Sequence, residues 1–183
     1  MQRHGLIRSL MAAALCVAAS PAPAADSGAR AGTHCGATER ILYSARFTHG
    51  RTGSVCVAHG AVHYRYGRLG APEIDLASAP DWSNVHYGEV RGGGNGYQRH
   101  VRFTAAGINY VVFEGVAGDL TDIAGQRSSG IYVGRDDSGG ISIGARGGEI
   151  VAESWDAILR QEAPEAMREG LDEVRDGPFS GWF

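Results

Sequence analysis

The chain has 183 residues and a formal net charge of −3, and all 17 of its basic residues are arginine. The lack of lysine excludes a Schiff-base lysine, a Ser–Lys dyad and a P-loop lysine. The acidic balance argues against nucleic-acid binding, which needs a basic face.

Residues 1–25 read as a secretory signal peptide. Arg3 and Arg8 make a positive start, Leu10–Ala19 an apolar run, and A-P-A-A closes the segment at Ala25. Cleavage near Ala24 or Ala25 leaves about 158 residues, with 15 arginines against 20 acidic residues and a net charge of −5. The apolar run is too short to span a bilayer, and no later segment approaches the roughly 18 apolar residues required. Cys16 follows Leu15, whereas a bacterial lipobox has a small residue there, so Cys16 is expected to leave with the leader. The mature chain is expected in the periplasm or outside the cell, long enough for one domain with its own core.

Asp26–His34 is polar and is read as a flexible lead, followed by a β domain over 35–148. Cys35 and Cys56 are the cysteines that remain, and in an oxidising compartment they are expected to pair. The rival reading is a metal site, because Cys56, His59 and His63 form C-x2-H-x3-H. Strand-like spacing does not put all three on one face, and zinc asks for three or four close ligands. No metal and no cofactor is assigned.

From Ile41 the text alternates with a period of two, the pattern of half-buried strands. ILYSARF, SVCVAHG and AVHYRYG come first, the last with Val62, Tyr64 and Tyr66 on one face and His63 and Arg65 on the other. EIDLA reads as a short edge strand after Pro72, and NVHYGEV as another strand after the loop SAPDWSN. YQRHVRFTA and INYVVFEG form a hairpin about Ala106-Gly107, with Arg99, Val101 and Phe103 sharing a face. INYVVFEG is apolar on both faces and reads as a central strand. GIYVGR and ISIGAR form a second hairpin across Asp137-Ser138-Gly139. The fold expected is mainly β: a small antiparallel sandwich or open barrel of about eight or nine short strands. Apolar residues at 155, 158, 159, 163, 167, 171 and 174 then fit a helical segment within a tail over 149–183. Ser154 is its expected N-cap, and Pro164 its break and the start of a second helix. The ending PFSGWF is read as packing back on the domain or as an apolar handle.

Three pieces stand together: Glu39-Arg40-Ile41-Leu42-Tyr43-Ser44 between Cys35 and Val55-Cys56; Tyr64-Arg65-Tyr66-Gly67-x-x-Gly70-x-Pro72-Glu73; and Gly92-Gly93-Gly94-x-Gly96-Tyr97 leading to Tyr110-Val111-Val112-Phe113 and Gly130-Ile131-x-Val133. Residues 35–145 thus resemble a group of small secreted bacterial proteins with a Y-R-[FY]-G-x-x-G-x-P-E signature. The resemblance brings no assigned activity, so it transfers no catalytic residue. Such proteins often carry another cysteine in the last strand; Ile141–Ala145 has none.

VRGGGNGYQRHVRF poses the sharpest functional question. A glycine loop binds phosphate when its N–H groups converge at a helix start, but a strand pattern follows here. Gly92–Gly96 is therefore read as a hairpin turn or a close approach of backbones, and as the first surface to suspect of recognition. Arg91, Gly93, Asn95, Tyr97, His100 and Arg102, with Tyr64 and Arg65, are the candidate binding residues. Asp119/Asp122 and Asp136/Asp137 are read as loop and turn chemistry. G-x-S-x-G and H-E-x-x-H are both missing.

These observations favour a secreted periplasmic binding protein without catalysis, of inhibitor or immunity type, whose partner is a protein or an envelope component. A structural envelope-associated protein and a periplasmic hydrolase using loop His and Asp residues are the other readings.

Overall fold

The computed structural model describes residues 30–92 and 94–168. The leader, Gly93 and the tail after Arg168 lie outside them, and with them the expectations about signal cleavage and the aromatic ending. Among the described residues, no helix is long and apolar enough to cross a membrane.

Ten strands form two antiparallel sheets: β1 (Arg40–Arg46), β2 (Thr52–Ala58), β3 (Ala61–Arg68), β4 (Ala71–Ala77), β5 (Val85–Arg91), β6 (Tyr97–Ala105), β7 (Ile108–Val116), β8 (Arg127–Gly134), β9 (Ile141–Gly144) and β10 (Ile150–Val151). The first sheet has the order β10-β1-β2-β3-β4, a meander of β1 to β4 with β10 added at its β1 edge, and the second, β5-β6-β7-β8-β9, is a meander throughout. The chain leaves the first sheet after β4 and returns to it only as β10. Nine of these strands are the ones that alternation points to. β10 is not; it comes after residue 148, where the tail was expected to begin, and two residues carry no period. It exists because Val151 and Ile150 pair with Tyr43 and Ser44 of β1.

The period of two places the core. Tyr64 and Val62 of β3 face inward against Val101 and Phe103 of β6, with Val112 and Ile131 beside them. The Tyr64 and Phe103 rings sit 5.9 Å apart. A bulge between Ile41 and Tyr43 lets both Leu42 and Tyr43 reach zero exposure on β1. INYVVFEG is β7, in the middle of its sheet, as its two apolar faces require. The hairpin residues His59 and Ala106 hold left-handed φ of 54° and 49°, each followed by a glycine, the pattern of two-residue hairpin turns. Trp82, on the crossing from β4 to β5, is fully buried, and its Nε1–H donates to Gly60 O at 2.9 Å.

α1 (Trp155–Glu162) begins after Ser154, which has the extended backbone of an N-cap but makes no side-chain cap bond. Its apolar stripe, Trp155 and Leu159, joins the core together with Ala163. Pro164 ends it, and α2 (Glu165–Arg168) starts immediately afterwards. Glu162 pins the β2–β3 turn by accepting Gly60 N–H at 2.8 Å.

A buried ion pair fixes the helix to the second sheet. Arg99 and Glu114 lie directly opposite on β6 and β7, and both face the core with 5% and 3% exposure. The Arg99 guanidinium donates to Glu114, to Ala152 O at 2.7 Å and to Glu153 O at 2.8 Å. Its centre stacks 4.7 Å from the Trp155 ring. Removing either partner strands a buried charge, a loss of about 3–5 kcal/mol.

Strand β2 is buried on both faces, although it belongs to a sheet with one core face. The reason is residues 32–39, which lie across the outer face of the first sheet. Cys35 and Cys56 form a disulfide there. Beside it, the Ser54 hydroxyl accepts Thr33 Oγ1–H at 3.2 Å and His34 N–H at 3.0 Å, and shares a 2.9 Å bond with Ser44 Oγ. Ser44 in turn donates to Gly32 O at 3.0 Å, so each buried hydroxyl has its partners. His34 Nε2 faces two carbonyls, Thr52 O at 3.1 Å and Gly67 O at 3.3 Å, so it is the protonated ring nitrogen.

The bridge closes a loop of 21 residues, which constrains the unfolded chain by about 3 kcal/mol. Replacing both Cys35 and Cys56 with alanine is expected to lower unfolding stability by about that amount in a urea titration. A loss below about 1 kcal/mol would mean that the hydroxyl network alone holds residues 32–39 down.

Candidate binding surface

Two loops meet beside the start of β6. The first is Gly92–Gly96, between β5 and β6. Arg91 and Tyr97 are its paired flanks, and Gly92 N–H donates to Gly96 O at 2.8 Å, so it is a closed hairpin turn. The second, residues 117–126, joins β7 to β8. Its base is clamped by Ala117 N–H to Gln126 O at 2.9 Å and Gly125 N–H to Ala117 O at 2.8 Å. Within it Thr121, Ala124 and Gln126 donate to Gly118, Thr121 and Ile123 carbonyls at 3.0, 3.2 and 2.9 Å. This is a compact surface loop whose ends touch and which several internal backbone bonds hold closed.

The glycines let these loops pack together. Asp119 N–H donates to Gly94 O at 2.6 Å, and Asn95 Nδ2 donates to Asp119 Oδ2 at 3.0 Å. Gly94 and Asn95 hold φ of 67° and 62°, a conformation that suits Gly and Asn. A Cβ at Gly96 would stand 2.6 Å from Gly118 N, and one at Gly94 2.9 Å from Asp119 N. Gly94 and Gly96 thus make a close backbone approach that holds the second loop.

The second loop presents large apolar side chains to water. Leu120 is 83% exposed and Ile123 58%. Between the two loops lies a shallow cleft of about 280 Å³ lined by Gly96, Tyr97 and Thr121, and beside it one of about 390 Å³ lined by Tyr97, Ile123 and Gln126. Tyr97 borders both; its hydroxyl donates to Glu114 at 3.3 Å, which ties the surface to the buried ion pair. DLTDIAG showed a turn in the sequence. Leu and Ile between Gly118, Asp119, Asp122 and Gly125 were the signal that a turn carries more apolar bulk than it can bury.

The other candidate residues do not all converge here. Arg91 reaches solvent with 80% of its side chain exposed and pairs with Glu89 at 2.6 Å. Asn95 and Tyr97 are part of the surface; Gly93 lies outside the described residues. His100 and Arg102 point to the outer face of the second sheet, opposite Arg99, as alternation requires. His100, however, has no exposed surface, and its ring stacks on His86 at 5.8 Å. Arg102 donates to Thr104 Oγ1 at 2.7 Å and Asn109 Oδ1 at 3.2 Å. Tyr64 is 1% exposed inside the core, so it offers nothing to a partner. Burial drives its hydroxyl pKa far up.

Arg65 is on the opposite face of β3 from Tyr64, committed to the outer layer of the first sheet. It forks onto Glu39 at 2.6 and 2.9 Å and reaches Asp75 at 3.2 Å. Burial pushes the Glu39 carboxyl up, but the Arg65 fork and the Gly36 N–H at 2.7 Å outweigh it and hold the group below its ordinary value. Arg65 is pushed up, chiefly by the bond to Glu39. His59 and His63 line an open cleft of about 480 Å³ with Glu39 and Arg65, and the His63 ring lies 3.5 Å from Asp75. They do not gather Cys56 as C-x2-H-x3-H suggested. Among the described residues, the cluster of metal-ligand types is Cys35, Glu39 and Cys56, and the disulfide consumes both sulfurs. Asp136 accepts Ser138 N–H at 2.9 Å and its hydroxyl at 2.8 Å, a turn bond as read.

Comparison with protein families, curated proteins and solved structures finds no match for the chain.

Gly96→Ala is expected to push Gly118 away and break the Asp119 N–H to Gly94 O bond. Amide exchange at Asp119 should then quicken at least about tenfold, whereas Gly92→Ala, with 3.9 Å to its nearest neighbour, should leave it unchanged. Equal exchange in both variants would show that the loops are not mutually supported.

Proposed function

We propose that the mature chain is a secreted, periplasmic, non-catalytic binding protein of inhibitor or immunity type. It engages a protein partner through the surface made by residues 91–97 and 117–126. The observation that supports this most is the exposure of Leu120 and Ile123 on a loop that is closed at its base and tied to its neighbour by Asp119 N–H to Gly94 O. A large apolar side chain held rigidly in water loses little further entropy when it enters a partner's pocket. Such anchors, ringed by polar groups, carry most of the energy of protein interfaces. Here the ring is supplied by Arg91, Asn95, Asp119, Thr121 and Gln126. The disulfide fits an oxidising compartment. The two adjoining clefts are shallow, as expected of a surface that is itself inserted into a partner.

A photo-crosslinking residue placed at Leu120 or at Ile123 and irradiated in envelope extract is expected to give one discrete protein adduct. The same residue at Ile141, which is 68% exposed on β9, is the control and should give none. Adducts at all three positions, or at none, would contradict the proposal.

A further inference from the structure

A second site is built from arginines far from the proposed surface in sequence. Arg46 closes β1. Its N–H donates to Gly147 O at 3.0 Å, and its carbonyl accepts Arg146 N–H at 2.7 Å. This seam, where the chain leaves β9 for the first sheet, makes Arg46 and Arg146 neighbours. The turn after β1 adds a third cation: Phe47 N–H donates to Arg51 O at 2.8 Å, which folds Arg51 back towards the strand end. Arg46, Arg51 and Arg146 line one cleft of about 310 Å³, with Phe47 and Leu69 as its apolar part.

The charges there do not balance. Arg51 pairs with Glu73 at 3.0 Å. Among the described residues, neither Arg46 nor Arg146 has a carboxylate within 4.0 Å, although the chain holds 20 acidic residues. Like charges set side by side across paired backbones destabilise a sheet edge, so the fold gains nothing from this pair. Room is also kept for it: a Cβ at Gly148, where φ is 67°, would stand 2.8 Å from Arg46 Nε. The apolar part is firm, since Phe47 is buried and packs edge-on to Tyr66 at 5.7 Å. Leu69 is half exposed at 49%, at the cleft's rim.

We propose that this cleft binds a phosphate group, with the apolar part of the phosphate-bearing molecule lying against Leu69. A planar carboxylate is satisfied by a single guanidinium fork, as Glu39 is by Arg65. Several guanidinium groups reaching one cleft from different segments suit a tetrahedral anion with oxygens on every side. The phosphate is either that of a soluble ester or that of a lipid headgroup, and the two are separated by experiment.

The test uses the mature chain at low ionic strength. Inorganic phosphate is titrated while backbone amide shifts are followed, with sodium chloride of equal ionic strength as control. In parallel, vesicles of phosphatidylglycerol and of phosphatidylcholine are used in flotation. Saturable shifts at Phe47, Arg51 and Leu69 are expected with phosphate and not with chloride. Arg46→Gln combined with Arg146→Gln should weaken binding at least about tenfold. Arg135→Gln, an exposed arginine elsewhere, should not weaken it. Both side chains of the double variant are exposed, and the seam bonds are backbone bonds, so the fold is retained and circular dichroism checks it. Flotation with phosphatidylglycerol alone, competed by phosphate, would assign a headgroup; phosphate binding without flotation would assign a soluble ester. Shifts no larger than with chloride, or a double variant that binds like the parent, would overturn the proposal.

Discussion

The guanidinium of Arg99 holds three parts of the chain in one place. It neutralises Glu114 across β6 and β7, it caps the carbonyls of Ala152 and Glu153, and it stacks on Trp155. Without it, the carbonyls at the entry to α1 would lose their donor, and Glu114 would be a buried charge with no counterion. The same Glu114 accepts the Tyr97 hydroxyl. Tyr97 starts β6 and borders both clefts of the proposed binding surface. The ion pair thus sets where the helix docks and where the surface begins.

Above that base the surface depends on backbone rather than on side-chain packing. Gly94 and Gly96 bring one loop within hydrogen-bond reach of the other, and backbone bonds close the second loop at its base. Its two apolar residues are left over, Leu120 and Ile123, because the core is already filled by the sheets and α1. The arginine cleft has a similar origin. A backbone seam fixes the neighbours, and the side chains are left without an internal role. In both places the fold holds exposed groups in a fixed arrangement without using them for its own stability.

Much of the scaffold was legible in the residues. Alternation in AVHYRYG and YQRHVRFTA put Tyr64 on the face opposite His63 and Arg65, and Val101 and Phe103 opposite Arg102, and the sheets obey it. Pro164 and Ala106-Gly107 marked an end and a turn because their local chemistry is strong, and Ser154 takes the N-cap backbone without a side-chain cap bond. What stayed hidden was non-local. Ser54 is buried because residues 32–39 fold over β2, and no period inside SVCVAHG encodes that cover. β10 is two residues long and is defined by its partner. Tyr64 and Arg65, adjacent in the text, both read as binding residues, yet a strand sends them to opposite faces, one into the core and one to the outer layer. Arg46 and Arg146 are a hundred positions apart, and only the seam between the sheets makes them one cluster. The aromatic ending lies outside the described residues, and its part in the account stays an expectation from sequence.

The proposed binding surface requires that the loops carrying Leu120 and Ile123 be held rigid before any partner arrives. Backbone ¹⁵N relaxation of the mature chain measures this directly. Order parameters over Gly94–Tyr97 and Gly118–Gln126 are predicted to match those of β6 and β7, near about 0.85. Values below about 0.6 would mean that these loops are ordered only by a partner, if at all, and would contradict it.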